Sequence, residues 1–166
     1  MKTILAPVDF SSVTENVVLE AATIARALDG RVVLLNVTQP PPVVADSSAF
    51  MMDVSAVTEF AAKAAVPQLE ALQEKLAHDY VATETMQQTG YPLTLILEQA
   101  RKLPADYIVM GSHGHTAFYD LLVGSTASAV IKRAPCPVVI VPAPMPQEKS
   151  AKAKRSAPAV APVTTR

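Results

Sequence analysis

The chain has 166 residues, of which 50% are apolar and only 5% aromatic, and its formal net charge is -1. This size and composition predict one soluble domain with an aliphatic core, and no apolar run approaches the roughly 20 residues that a membrane-spanning helix needs. The single cysteine, Cys136, excludes a disulfide or a cysteine zinc cluster within one chain. The apolar run at residues 3–8 is too short for a signal peptide, so a cytoplasmic location is expected.

The charge is divided unevenly between the body of the chain and its last residues. Residues 143–166 contain five basic residues and one acidic residue, so they carry +4, which leaves -5 on residues 1–142. An acidic body argues against broad nucleic-acid binding. Proline, alanine and scattered basic residues give residues 143–166 no apolar face, which predicts a basic, disordered tail after one folded domain at residues 1–142.

The first predicted elements form a β-α-β unit. Residues 3–8 and 31–37 are short, β-branched and nearly continuous in apolar character, as strands buried on both faces are. Between them, apolar residues recur at helical spacing over residues 13–28. Two parallel strands joined by a helix are therefore expected at the start of the domain.

Local signals suggest where the helices begin and end. Ser12 and Glu15 have the spacing of a capping box before the first helix, and Gly30 is placed to terminate that helix. A second helical pattern covers residues 50–78, and Pro67 inside it is expected to kink or divide the helix.

The second half of the chain continues the alternation of strand and helix. A more exposed strand is predicted first, then a helix that opens with Pro92, a buried strand, a short helix and a last apolar strand, at residues 81–88, 92–103, 106–111, 124–133 and 136–142. This alternation predicts a doubly wound α/β fold with five parallel strands and right-handed crossovers.

Three of the five glycines lie in the stretch MGSHGHTAFYDLLVGST, residues 110–126, which follows a predicted strand. Ligands of open α/β sheets bind at such strand ends. Gly111 and Gly114 are able to adopt positive φ and to expose main-chain amides, while Gly124, Ser125 and Thr126 open a helix whose amino end attracts phosphate. Ordinary turn and cap chemistry explains the same residues, and on physical grounds alone both interpretations stay open.

Other common sites are not supported by the sequence. No G-x-x-x-x-G-K-[ST] motif occurs and no G-x-G-x-x-G follows the first strand, which argues against a P-loop and an ordinary NAD-type Rossmann site. Neighbouring Ser112 and His113 do not form the nucleophile elbow of a hydrolase. The pair His113 and His115 lacks further ligands for a zinc site. We therefore expect no catalytic residue and no metal site made by the protein alone.

The glycine spacing resembles a known signature. Gly111, two residues, Gly114, nine residues and Gly124-Ser125 match the G-2x-G-9x-G-[ST] pattern of the nucleotide-binding branch of the universal stress protein family. Strand segments in the same order also resemble that family, at residues 4–11, 34–37, 106–114 and 136–141. The resemblance covers residues 1–142 and leaves out the tail.

The resemblance implies a flavodoxin-like, Rossmann-like fold with strand order 3-2-1-4-5 and helices on both faces. It also implies ATP, or ADP or AMP, bound beside the first and fourth strands, with Mg²⁺ reached through the phosphates. Asp9 would meet the ribose hydroxyls and Val37 the adenine. The nucleotide-binding residues carried over in this way are Pro7, Val8, Asp9, Val37, Met110, Gly111, His113, Gly114, Gly124, Ser125 and Thr126.

The resemblance further implies a regulatory or protective module of the stress response that forms a homodimer through its last strand, from Pro137 to Val141. Hydrolysis of ATP is expected to be slow or absent, because the sequence supplies neither a P-loop lysine nor a clear general base. Two alternatives remain open. One is a slow ATPase or nucleotidyl transferase that uses the same cleft, and the other is a nucleotide-free interaction protein whose basic tail contacts an acidic partner.

Overall fold

The computed structural model describes residues 1–41, 54–113 and 123–142. The strands are β1 (Lys2–Val8), β2 (Gly30–Thr38), β3 (Ala82–Thr89), β4 (Tyr107–Gly111) and β5 (Val138–Val141). The helices are α1 (Thr14–Ala27), α2 (Val54–His78), α3 (Pro92–Lys102) and α4 (Ser125–Arg133). Strand and helix alternate along the chain as the apolar patterns predict.

The five strands form one parallel sheet in the order β3-β2-β1-β4-β5. The predicted fold class and strand order are therefore confirmed. The strand order reverses between β1 and β4, because the chain adds β2 and β3 on one side of β1 and then β4 and β5 on the other. In open parallel sheets the carboxyl ends of the strands at such a point leave a crevice that binds ligands.

Helices cover both faces of the sheet and enclose two aliphatic cores. Ile4 and Ala6 of β1 are fully buried against the α1 and α2 layer, whereas Leu5 between them is fully buried against the α3 and α4 layer. This alternation follows from the two-residue period of a strand. It explains why the apolar runs of β1 and β2 are almost uninterrupted in the sequence.

The amino end of α1 differs from the expected capping box. α1 begins at Thr14 and has no side-chain cap, and the Thr14 amide donates instead to the carbonyl oxygen of Ser11 at 3.0 Å. The carboxylate of Glu15 contacts Lys75 Nζ of α2 at 3.3 Å rather than turning back to the helix start. The capping-box prediction for Ser12 and Glu15 is therefore wrong, because a contact between helices replaces the local one.

Gly30 does not terminate α1. The positive φ after the helix belongs to Asp29, at 49°, and Gly30 is already the first residue of β2. A Cβ at Gly30 would lie 2.8 Å from the carbonyl oxygen of Lys2 and 2.9 Å from Ile4 Cδ1. The glycine is needed for the close approach of β1, so its predicted role in helix termination is wrong.

α2 is one helix from Val54 to His78 with Pro67 inside it, so the predicted division at Pro67 does not occur. Pro67 lies on the exposed side of α2, where water can hydrogen-bond to the carbonyl oxygen that lacks an amide partner. None of the helices in the described ranges is both long enough and apolar enough to cross a membrane.

Candidate functional site

A cleft of about 270 Å³ lies at the carboxyl ends of β1 and β4, at the point where the strand order reverses. Ten of the eleven residues predicted for the nucleotide site line it, namely Pro7, Val8, Asp9, Val37, Met110, Gly111, His113, Gly124, Ser125 and Thr126. The eleventh, Gly114, lies outside the described residues. Residues from four different elements of the sequence are thus brought to one crevice.

The two glycine-containing segments are joined by a main-chain hydrogen bond. The Gly124 amide donates to the carbonyl oxygen of Ser112 at 2.7 Å, and the Ser112 amide donates to the carbonyl oxygen of Val141 at 2.8 Å. A Cβ at Gly124 would lie 3.3 Å from the Ser112 oxygen, which is tighter than an ordinary contact. The end of β4 and the start of α4 therefore form one continuous wall of the cleft, and these two amides are already engaged within it.

Gly111 is close-packed rather than left-handed. Its φ lies outside the positive region, so the expected positive φ at this glycine is not found. A Cβ at Gly111 would lie only 2.5 Å from Val13 Cγ1. Glycine is required here because the residue before α1 packs directly against the main chain at the end of β4.

The amino end of α4 presents free donors to the cleft. Gly124 precedes the helix in extended conformation and supplies no side-chain cap. The amides of Ser125, Thr126 and Ala127 have no acceptor among the described residues, as is usual for the first turn of a helix. Three amides, two neighbouring hydroxyls and the positive end of the helix dipole therefore meet at one place.

Asp9 lies on the opposite wall of the cleft, directly after β1. Its carboxylate is exposed and Oδ1 accepts a hydrogen bond from the Ser11 amide at 3.0 Å. Phe10 between them has a φ of 60°, a conformation that is costly for an aromatic residue. This tight turn fixes the position of the carboxylate at the mouth of the cleft.

His113 lines the cleft beside the first turn of α4. Its Nδ1 lies 3.2 Å from Ser112 Oγ, and its Nε2 is buried with no hydrogen-bond partner among the described residues. A buried ring nitrogen without a partner is costly, so a ligand or water is expected to satisfy it. Nε2 either donates or accepts, depending on which nitrogen carries the proton.

The remainder of the cleft is largely apolar. Val37 at the end of β2 and Leu35 within it face Pro92 and Ile96 at the start of α3 across this part of the cleft. An aliphatic slot of this kind suits the face of a flat heteroaromatic ring.

Several lining residues were not anticipated from the sequence: Thr14, Leu35, Pro92, Ile96 and Ser112. Thr14 is only 5% exposed, and its Oγ1 has no partner among the described residues. It is the first residue of α1, and that position beside the reversal of strand order was the available signal for it.

No group of three or more potential metal ligands occurs within residues 1–41, 54–113 and 123–142. Among the residues that line the cleft, Asp9 is the single carboxylate. Mg²⁺ in this cleft would therefore need most of its ligands from phosphate oxygens and water.

The chain belongs to the universal stress protein family, whose family model matches residues 1–142. A universal stress protein of Methanocaldococcus jannaschii is 33% identical over 144 residues, which cover 86% of this chain and 83% of the relative. The solved structure of universal stress protein UspA from Lactobacillus plantarum is 27% identical and superposes with a TM-score of 0.75, covering 84% of this chain and 97% of that one.

Two more distant structures of the family contain nucleotides. One is a universal stress protein in complex with cAMP, 21% identical with a TM-score of 0.64, covering 86% of this chain and 98% of that one. The other is the universal stress protein from Archaeoglobus fulgidus in complex with dAMP, 22% identical with a TM-score of 0.60, covering 84% of this chain and 97% of that one. At these identities the likeness establishes the shared fold.

Proposed function

We propose that this protein binds an adenine nucleotide, ATP among them, in the cleft at the ends of β1 and β4. The observation that carries the proposal is the convergence of the α4 amino end, the Asp9 carboxylate and an aliphatic slot on one crevice. Each of these matches one part of a nucleotide: phosphate, ribose and base. The cAMP and dAMP complexes of distant relatives support the same class of ligand.

The arrangement of the cleft suggests how the nucleotide would lie. A phosphate group would accept hydrogen bonds from the free amides of Ser125, Thr126 and Ala127, and His113 Nε2 would add a donor in the appropriate tautomer. The exposed carboxylate of Asp9 would accept from the ribose hydroxyls. Val37 would cover the base.

The cleft offers a binding function more readily than a catalytic one. Asp9 is the single carboxylate among the lining residues, and we assign it to the ribose rather than to activation of a water. Phosphoryl transfer depends on precise positioning and on positive charge around the transferred group. We therefore propose that the protein acts as a nucleotide-dependent regulatory or protective module in the cytoplasm, with slow hydrolysis at most.

We also propose that two copies pair through β5. Among the described strands β5 pairs with β4 alone, so the main-chain groups on its other side are available to a second strand. Antiparallel pairing of residues 137–141 with those of a second copy would cover this edge. Light scattering of the full chain tests the pairing: a mass twice that of the monomer supports it, and a monomeric mass contradicts it.

The proposed ligand is tested by mass spectrometry of small molecules released from purified protein, together with calorimetric titration of the nucleotide-free protein with AMP and ATP. Ser125→Glu puts a carboxylate where the phosphate is expected. An acidic residue at a helix amino end favours folding, so the variant should remain folded. We expect it to lose nucleotide binding.

Thr94→Glu is the matched control, because Thr94 lies in the first turn of α3, is exposed and does not line the cleft. It should bind nucleotide as the unmodified protein does. Absence of any bound nucleotide, or equal binding by the protein and by Ser125→Glu, would contradict the proposal.

A further inference from the structure

The charged side chains are distributed unevenly between the two ends of the sheet. Lys2 and Arg31 lie at the starts of β1 and β2, and the last turns of α1, α3 and α4 all carry Lys or Arg. In a parallel α/β fold the starts of strands and the ends of helices lie at the same edge. Most basic side chains of the described domain are thus at the edge opposite the cleft.

The cleft itself carries negative charge. Asp9 contributes a carboxylate, and no Lys or Arg is present among its described lining residues. The sequence from residue 103 to residue 131, which contains β4 and the whole stretch leading into α4, also has neither Lys nor Arg. The nearest strong source of positive potential among the described groups is therefore the amino end of α4.

The described donors are sufficient for one phosphate group. The amides of Ser112 and Gly124 are engaged with main-chain oxygens, which leaves the amides of Ser125, Thr126 and Ala127. Thr14, 95% buried on the α1 side of the same cleft, adds one hydroxyl whose Oγ1 has no partner among the described residues. A helix amino end supplies roughly half an elementary charge, which is less than a single phosphate carries.

We propose that this cleft selects adenine nucleotides with a single phosphate group, such as AMP or cAMP, over ATP. The inference rests on the proposed function and specifies its ligand class. The first phosphate is held by the α4 amides, whereas each further phosphate enters a region without basic side chains and close to the Asp9 carboxylate. Repulsion between like charges is strong where the surroundings exclude water, so added phosphates weaken binding.

Calorimetric titration of the nucleotide-free full chain tests this selectivity at constant ionic strength, with AMP, cAMP, ADP and ATP as ligands in the absence of Mg²⁺. We expect Kd to rise from AMP to ADP to ATP, with ATP weaker than AMP by about tenfold or more, a difference of roughly 1.4 kcal/mol. Added Mg²⁺ should tighten ATP binding and leave AMP unchanged, because the ion neutralises the outer phosphates.

Asp9→Asn identifies the electrostatic cause. Removing the carboxylate should narrow the ratio of the ATP and AMP dissociation constants, even if both nucleotides bind more weakly through the loss of the ribose contact. Glu15→Gln is the control, since Glu15 is exposed on α1 outside the cleft and pairs with Lys75. It should leave the ratio unchanged.

The possible results separate the two proposals. Binding of ATP as tight as or tighter than binding of AMP overturns the selectivity and leaves the nucleotide site intact. A ratio that Asp9→Asn does not change overturns the electrostatic explanation, and with it the selectivity argued from charge. Failure of every nucleotide to bind overturns the proposed function itself.

Discussion

The Gly124 amide donates a 2.7 Å hydrogen bond to the carbonyl oxygen of Ser112. This bond joins the end of β4 to the start of α4, although the two residues are separated in the sequence by the stretch that contains Gly114. Both segments are thereby held in contact, and the donors of the first α4 turn are directed into the crevice between β1 and β4. The wall for a phosphate group is thus built by main-chain geometry.

Close packing at Gly111 predicts a specific loss of stability. In Gly111→Ala the new Cβ would lie 2.5 Å from Val13 Cγ1, so either α1 or β4 has to move. We expect the free energy of unfolding to fall by about 1–3 kcal/mol, as for other overpacked sites. Urea denaturation measures the change.

Gly124→Ala provides the comparison, because its nearest contact would be 3.3 Å and its φ of -65° suits any residue. It should cost less than Gly111→Ala. Equal losses in the two variants, or a larger loss in Gly124→Ala, would show that packing against Val13 is not the reason for glycine at position 111.

The Thr14 hydroxyl predicts a trade between stability and function. Its buried Oγ1 has no partner among the described residues, so Thr14→Val should raise the free energy of unfolding of the nucleotide-free protein by about 1 kcal/mol. Thr58→Val is the control, since Thr58 Oγ1 donates to the Val54 carbonyl oxygen at 2.6 Å. That variant should gain nothing, and a loss of stability in Thr14→Val would contradict the prediction.

The edge opposite the cleft has its own pH dependence. Asp106 accepts hydrogen bonds from Lys2 Nζ and from the Thr3 amide, each at 2.8 Å. The bond from Lys2, and after it the bond from Thr3, holds the pKa of the Asp106 carboxyl below its ordinary value. A lowered pKa in the folded state stabilises the protein above the ordinary pKa of aspartate, and this stabilisation is lost as the pH falls through the lowered value.

Asp106→Asn should therefore be less stable than the unmodified protein near neutral pH, and the difference should disappear in strong acid. Urea denaturation as a function of pH measures both effects. In NMR titrations, Lys2→Met should raise the pKa of Asp106 toward its ordinary value. A stability difference that persists unchanged into strong acid, or an unmoved pKa, would show that the Lys2 contact does not act on this carboxyl.

The elements of the fold were predictable from the sequence because its strands are buried on both faces. Continuous apolar runs, as in β2, and helical periodicity between them specify the elements, and the resemblance to the family supplied their order. The helix ends were less predictable. Glu15 contacts Lys75 on another helix and Gly30 packs against β1, and neither tertiary contact is visible in a local pattern.

The candidate site was predictable only in part. Glycine spacing located the wall formed by β4 and α4, but the sequence does not reveal which amides are already engaged, as those of Ser112 and Gly124 are. Thr14 and Ile96 come from helices whose patterns indicate only core or surface. Their place beside the cleft depends on the packing of α1 and α3 against the sheet.

The most direct measurement of the central claim is a titration of the ¹⁵N-labelled full chain with AMP, followed by NMR of the backbone amides. If phosphate binds at the amino end of α4, the largest shifts should fall on Ser125, Thr126 and Ala127, with smaller ones at Val37. Lys132 at the far end of the same helix should not shift. Shifts confined to the opposite edge of the sheet, or no saturable shift at the first turn of α4, would contradict the claim that this cleft binds the nucleotide.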